Sequence, residues 1–325
     1  MQRFILTRAF HSVITLWLLV TIVFLFVRVT GDPTKQLEEG VDAGYIEHLR
    51  ADWGLDKPLH VQYGKYMFDL VQGDFGNSFQ KSTSVREIYL NRLPNSLKLG
   101  FAAFILSIAI GIPLGVLSAM KVNTWWDNFG KVFAILGLSV PNFFVGLILI
   151  LIFPITLGWF HVISNSGSAF IWGDPSTWFL FWFRGLDYLV LPAFALGWYF
   201  SGSMVRITRS SMLEVMGSDY IKLARLKGLP EWVVLAKHAL KNAMIPILTL
   251  AGLNLVIMVN VAIAIEVVFS YPGVGQLIFQ AMINRDFPMV QGVVLMGGVM
   301  IVALNFAIDI LYAYTDPRIR LTGRN

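Results

Sequence analysis

Six stretches of apolar residues run through this 325-residue chain, each long enough to cross a bilayer, whose hydrocarbon core needs about 20 residues of helix. They are Ala9–Val27, Leu99–Met120, Val132–Gly158, Tyr188–Val205, Ala243–Ile265 and Met289–Ile308. Buried helices of a water-soluble protein would be shorter and more often interrupted. Prolines inside the stretches, such as Pro141 and Pro154, are compatible with membrane helices, because neighbouring helices satisfy the freed backbone groups. Charged residues make up only 14%, against about 25% in a typical soluble domain. That composition excludes a disordered chain and a soluble enzyme built on one core. The expectation is an all-α polytopic membrane protein with six transmembrane helices.

The first stretch resembles a secretory signal in position but not in make-up. Its nineteen residues exceed the about 7–15 of a signal's apolar region, and Arg28–Pro33 offers no small-residue cleavage site. It reads as a retained anchor.

Lys and Arg near the ends of the spans set the orientation. Fourteen of them fall on one side: near the N-terminus, at Lys121 and Lys131, in the 206–241 segment and in the C-terminal tail. The two short loops opposite hold only Arg184 and Arg285. Both termini are therefore expected in the cytoplasm. The net charge of +5 is a topology signal, which removes the support for nucleic acid as a partner. With no Cys and five scattered His lacking an HExxH spacing, thiolate chemistry is excluded and a structural metal site is not expected.

The loops carry the rest of the information. Residues 31–96 form an extracytoplasmic segment too long for a mere connection, with helical periodicity over Tyr45–Arg50 and Val61–Leu70 and a turn at Gly73–Ser78. It reads either as a solvated cap or as a docking platform or lid. Residues 159–187 hold Trp159, Trp172, Trp178 and Trp182, and read as an aromatic belt at the membrane interface. The 206–241 segment carries seven Lys/Arg and three acids. Its pattern predicts helix, turn, helix, with Gly228 at the turn, Pro230 opening the second helix and that helix ending near Asn242. An ordinary loop needs only a few residues. A projecting hairpin bearing Leu226, Leu229, Trp232 and Val233 reads instead as a surface for a partner.

Here the chain resembles a known family. Ala224-Arg225-Leu226-Lys227-Gly228, followed by His238 to Asn242 and Pro246, is similar to the EAA loop of ATP-binding-cassette importer permeases. Lys222 stands where Glu is usual and Leu223 where the first Ala is usual, both familiar in the oligopeptide/dipeptide/nickel branch. Residues 31–33, 54–59, 62–63, 73–79, 92–95, 139–144, 266–275 and 316–320 match that branch in order, so the resemblance covers nearly the whole chain. It implies a type I importer permease fold. The implied divisions are residues 1–30 (N-terminus and first helix), 31–96 (extracytoplasmic loop), 97–315 (permease domain with coupling hairpin 212–242) and 316–325 (tail).

The resemblance also implies a transport role and partners. These are a homologous second permease, two cytoplasmic ATPases, an extracytoplasmic solute-binding protein and the surrounding lipid, in a plasma membrane. Peptides are the implied cargo, with nickel, glutathione and some sugars also associated with the branch. This chain has no GxxxxGK[ST] loop, so ATP and Mg are expected on the ATPases, with no cofactor on the chain itself and no catalysis by it. In the hairpin, Asp219, Ala224, Arg225, Leu226, Lys227, Gly228, Leu229, Trp232, His238 and Asn242 are the coupling candidates. Arg225 and Lys227 are expected to meet acidic groups on the partner, and His238 to pack within the hairpin.

Among intramembrane polar residues, Glu266 is either a functional group or a structural tie to the Ser270–Gly275 turn through backbone N–H groups. Asn254, Asn260 and Asn305 are either helix–helix hydrogen bonders or pathway residues, and Asp309 is expected to be paired or wetted. Asn254, Asn260 and Glu266 are the candidates for a pathway or gate. The competing class is a self-sufficient secondary transporter or channel, which calls for mid-span carboxylates and internal repeats.

Overall fold

The computed structural model describes residues 2–29, 56–81, 83–160 and 185–315, with Gly44, Ile46, Glu47 and Arg50 between the first two ranges. The expectations for Asp32-Pro33, for most of the aromatic belt and for the 316–325 tail lie outside these residues, as does the side chain of Asp309; of the helix expected at Tyr45–Arg50, Ile46, Glu47 and Arg50 are described and are helical. Trp159, the belt residue that is described, is exposed.

The described residues are helical, apart from turns and one isolated bridge between Asn77 and Ser84. In chain order the helices are α1 (Gln2–Val29), α2 (Leu59–Val71), α3 (Val85–Met120), α4 (Trp125–Ser139), α5 (Asn142–Ile150, continued as a π-helical turn over Leu151–Thr156), α6 (Leu186–Met216), α7 (Asp219–Leu226), α8 (Glu231–Val268), α9 (Val274–Ile283) and α10 (Phe287–Thr315). Five of them, α1, α3, α6, α8 and α10, are each long and apolar enough to cross a membrane, and α4 with α5, taken together, are long and apolar enough for a sixth crossing.

That sixth crossing departs from the expected single tilted helix over Val132–Gly158. It is bent by 99° between Ser139 and Asn142. Pro141 is the cause: it disfavours helical geometry at Val140, whose ψ of 123° is extended, and it then opens α5. Other boundaries also differ from the apolar runs. The second run is the C-terminal part of a 36-residue helix, so residues 85–96, expected in the loop, are helical. The short apolar helix α9 lies between the fifth and sixth runs, where no element was expected.

The described chain divides into two compact units, residues 1–93 with 277–325 and residues 94–276. In the first, α1 packs along α10, and α2 docks on α1 through side chains. Thr21 and Tyr63 share a hydroxyl hydrogen bond of 2.8 Å, and the Tyr63 ring meets the edge of Phe24. The Gly73–Ser84 turn is anchored by Asp286. Its buried carboxylate accepts from Ser78 Oγ (2.5 Å), from the Phe79 N–H (3.2 Å) and from the Met289 N–H at the start of α10 (3.3 Å).

In the second unit, α6 is the axis, buried along one side by α8, α4, α5 and α3. Leu196, Phe200, Met204 and Met212 lie on its covered faces. The bilayer supplies no hydrophobic drive between helices, so association depends on close van der Waals approach at small residues. A Cβ on Gly202 would lie 2.8 Å from the Ala134 carbonyl oxygen of α4, and one on Gly197 would lie 2.9 Å from that of Ala103 on α3.

A matched pair of substitutions tests this packing. Gly202→Ala is expected to destabilise the protein in detergent by about 1–3 kcal/mol, because α4 must retreat. Gly100→Ala meets nothing within 4 Å and is expected to be neutral or slightly stabilising. Chemical unfolding followed by circular dichroism reads both.

Candidate docking hairpin and its anchors

The hairpin forms as the sequence pattern predicts at its tip and differs at its far end. Asp219 starts α7, and Gly228 takes a φ of +76°. Nothing lies within 4 Å of where a Cβ on Gly228 would stand, so the turn needs glycine for its backbone and not for space. Pro230 immediately precedes α8. The expected end near Asn242 is absent: α8 continues without a break to Val268, passing through a π-helical stretch at Val234–Leu240. Residues 243 onward are an apolar helical run, and Pro246 removes only one backbone donor. The second arm of the hairpin and the fifth span are therefore one rod, about 57 Å long for its 38 residues.

One face of the hairpin is buried and the other is open. Ile221, Val234, Leu235 and Ala239 pack with Met212 of α6 and with Ala243 and Ile247 further along α8, and Ala224 lies against them. On the open face, Leu226 is 84% exposed and Trp232 72%, with Leu229 beside them. Asp219 is exposed and pairs with Lys222 at 2.9 Å. His238 is half-buried, in line with a packing role, and its carbonyl accepts a hydrogen bond from Asn242. Asn242 also donates to Tyr220 Oη at 2.9 Å, which fastens α7 to α8.

Arg225, expected to meet an acid of the partner, has an acid of its own chain beside it. It grips Glu231 across the turn through two hydrogen bonds of 2.7 and 3.2 Å, and this contact raises its already high pKa further. Spacing along the chain did not suggest the pair, because the turn at Gly228 is what brings residues six apart together. Lys227, at the end of α7, is exposed.

A polar cluster that the sequence reading missed lies where α3, α4 and α6 meet. Asp127, fully buried in the first turn of α4, accepts two hydrogen bonds from Arg209 of α6 (2.7 and 3.0 Å). Ser118 Oγ of α3 donates to it at 2.7 Å, the Asn123 N–H at 3.0 Å, and Lys131 Nζ lies at 2.8 Å. The carboxylate is thus fully satisfied, which is the condition under which a buried charge is tolerated. No local pattern announces a pair 82 residues apart; the sequence signals were an acid at the start of a largely apolar helix and its i,i+4 spacing to Lys131.

The intramembrane candidates separate. Glu266 is buried and its carboxylate accepts from the Gly275 N–H (2.6 Å) and the Gln276 N–H (3.2 Å), while its carbonyl accepts from the Tyr271 N–H. This is the tie to the turn that the sequence allowed. Burial pushes the Tyr271 phenol above its ordinary range, with the Glu266 charge adding to the shift. Asn95 Nδ2 donates to the Pro272 carbonyl, and the Val274 N–H donates to Ser96 Oγ, so α3 holds the same turn. Asn254 is buried and bonds Ser203 of α6 at 3.1 Å, a helix–helix contact. Asn260 is exposed and bonds only its own helix, at the Val256 carbonyl, and Asn305 is exposed.

Comparison with known proteins places this architecture. The family model described as binding-protein-dependent transport system inner membrane component matches residues 111–321, and its N-terminal companion matches residues 1–100. The chain belongs to that family. Individual relatives align over its whole length. The putative peptide transport system permease of Brucella abortus (strain 2308) is 36% identical over 98% of this chain and 99% of its own. The oligopeptide permease AppB of Bacillus subtilis is 37% identical over 98% and 99%, and the glutathione permease GsiC of Salmonella paratyphi A 35% over 98% and 99%. The fold is thus the type I permease fold implied by the sequence motifs, and the chain is a membrane component of a multi-component transport system.

The Asp127 cluster makes a measurable demand on this permease. Asp127→Ala, which leaves Arg209 without its partner, is expected to cost about 3–5 kcal/mol of stability. Adding Arg209→Met should restore much of it. A double-mutant cycle on unfolding in detergent gives the coupling.

Proposed function

We propose that this chain is one of two homologous membrane-spanning subunits of an ATP-driven, binding-protein-dependent importer. Its cargo is di- and oligopeptides or similar small solutes. The relatives named for peptides, oligopeptides and glutathione share a peptidic cargo, which supports that class. The clustering of Lys and Arg supports a plasma-membrane orientation with both termini and the α7–α8 turn in the cytoplasm. The 31–96 segment then faces the solute-binding protein.

The observation that carries the mechanism is the exposure of Leu226 and Trp232 on a turn whose other face is welded to the bundle. Large apolar side chains on a water-facing turn are a docking surface. Each of two ATPase subunits, where ATP and Mg bind, receives such a turn in a surface groove, one from each permease. Closure of the ATPases displaces the turn. Because its second arm is continuous with a membrane-spanning helix, the displacement enters the bundle as motion of a rigid rod. The two permeases then expose the pathway to alternate faces of the membrane.

Two variants test the assignment in the reconstituted transporter. Trp232→Ala removes contact area without touching the buried face, and Gly228→Val forces a β-branched residue into a left-handed turn. Both are expected to leave the permease folded while lowering solute-stimulated ATP hydrolysis and uptake at least about tenfold, as for interface hot-spot residues. Unchanged coupling in both would remove the hairpin from the mechanism. Solute uptake by the chain alone in liposomes, without ATP, would favour a self-sufficient transporter.

A further inference from the structure

The α1–α10 pair carries a groove that the proposed transport role does not use. Leu19 of α1 fills the space where a Cβ on Gly298 of α10 would stand, so the helices cross closely there. Further toward the end of α1, Val23 and Val27 line one groove together with Val290 and Val294 of α10. Over this stretch the helices leave a cavity of about 520 Å³ between them. Its walls are mostly apolar, with Ile22 and Phe26 from one helix and Phe287, Val290 and Val294 from the other, and Gln291 as the one uncharged polar residue. Ile22 is 62% exposed and Phe26 68%, so the groove opens sideways from the pair, at a depth where a span meets hydrocarbon.

One charged residue lines this groove. Arg285 lies just before α10, level with the end of the apolar run of α1, where lipid headgroups sit. Its backbone is left-handed, with φ of +55°, at the end of α9 where glycine is the usual choice. Placing an arginine there costs backbone strain that glycine would avoid, which points to a use for the side chain. The adjacent Asp286 does not neutralise it: that carboxylate is taken up by Ser78, Phe79 and Met289. Among the described residues, no carboxylate lies within ion-pair distance of Arg285.

We propose that this groove binds one phospholipid from the leaflet on the Arg285 side, with an acyl chain between α1 and α10 and the phosphate on the Arg285 guanidinium. The chemistry is that of an amphiphile with an anionic head: apolar walls open to the bilayer and one unneutralised cation at headgroup height. A peptide's row of backbone polar groups would meet only one uncharged polar side chain, Gln291, along the walls below that cation.

Native mass spectrometry of the delipidated full chain in detergent tests this. The probes are phosphatidylglycerol and the diacylglycerol with the same chains and no phosphate. The wild type is expected to hold one phosphatidylglycerol at least about tenfold more tightly than the diacylglycerol, the size of one charged hydrogen-bonded contact. Arg285→Asn keeps a residue that tolerates the left-handed backbone and should abolish that preference. Val294→Trp fills the groove and should remove binding of both lipids. Arg285→Asn retaining the wild-type preference would overturn the proposal, and this result is readable even if Val294→Trp does not fold. Self-association that buries the groove, with no lipid retained, would also overturn it, by assigning the site to a second copy.

Discussion

Inside a bilayer the hydrophobic effect inserts helices but does little to hold them together, because lipid tails are as apolar as leucine. Everything specific in this permease therefore rests on what fastens one helix to the next. Two devices do so. Small residues on α6 let α3 and α4 approach to backbone contact, as at Gly197 and Gly202. Polar ties then fix the register: Asn254 to Ser203 between α8 and α6, Glu266 to the turn before α9, and Asp127 to Arg209 between α4 and α6. The last is the most demanding, since a fully buried carboxylate is stable only with its whole complement of donors.

In the proposed mechanism these ties let a small hairpin move a membrane domain. The α7–α8 turn is joined to the bundle through Ile221, Val234 and Ala239, which share a core with Met212 and Ile247. Tyr220 and Asn242 bind its two arms. At the opposite end of the same rod, Glu266 and α3 clasp the turn that follows. A helix held at both ends transmits displacement instead of absorbing it. The π-helical stretch at Val234–Leu240 lies at the junction of hairpin and span, with Pro246 a second interruption of the backbone ladder just beyond it.

Much of this was legible in the sequence, for identifiable reasons. The bilayer enforces one length and one polarity on any crossing element, so the spans were readable from hydropathy alone. Gly228 and Pro230 mark the hairpin because turn chemistry is local. Glu266 was legible as a tie because an acid one turn from a Gly-rich segment has backbone donors within reach. The bend at Pro141 was not, because an apolar window averages over a change of direction that costs no hydrophobicity. The short helix α9 was hidden likewise, being too brief for a spanning window. Asp127–Arg209 and Ser78–Asp286 were invisible because each joins residues remote in sequence, and Arg225–Glu231 because it depends on the path of the turn between them.

In the proposed mechanism, the ATPase acts on the exposed face of the α7–α8 turn. The chain has no cysteine, so Leu226→Cys introduces a single thiol at the most exposed apolar position of the turn. Cross-linking from this thiol in inside-out membrane vesicles that contain the complete transporter is the direct measurement. A specific adduct with the ATPase subunit is expected, with a yield that changes when ATP binds, and no labelling by an impermeant maleimide added outside intact cells. Labelling from outside, or an adduct yield that ignores both the ATPase and ATP, would contradict the mechanism.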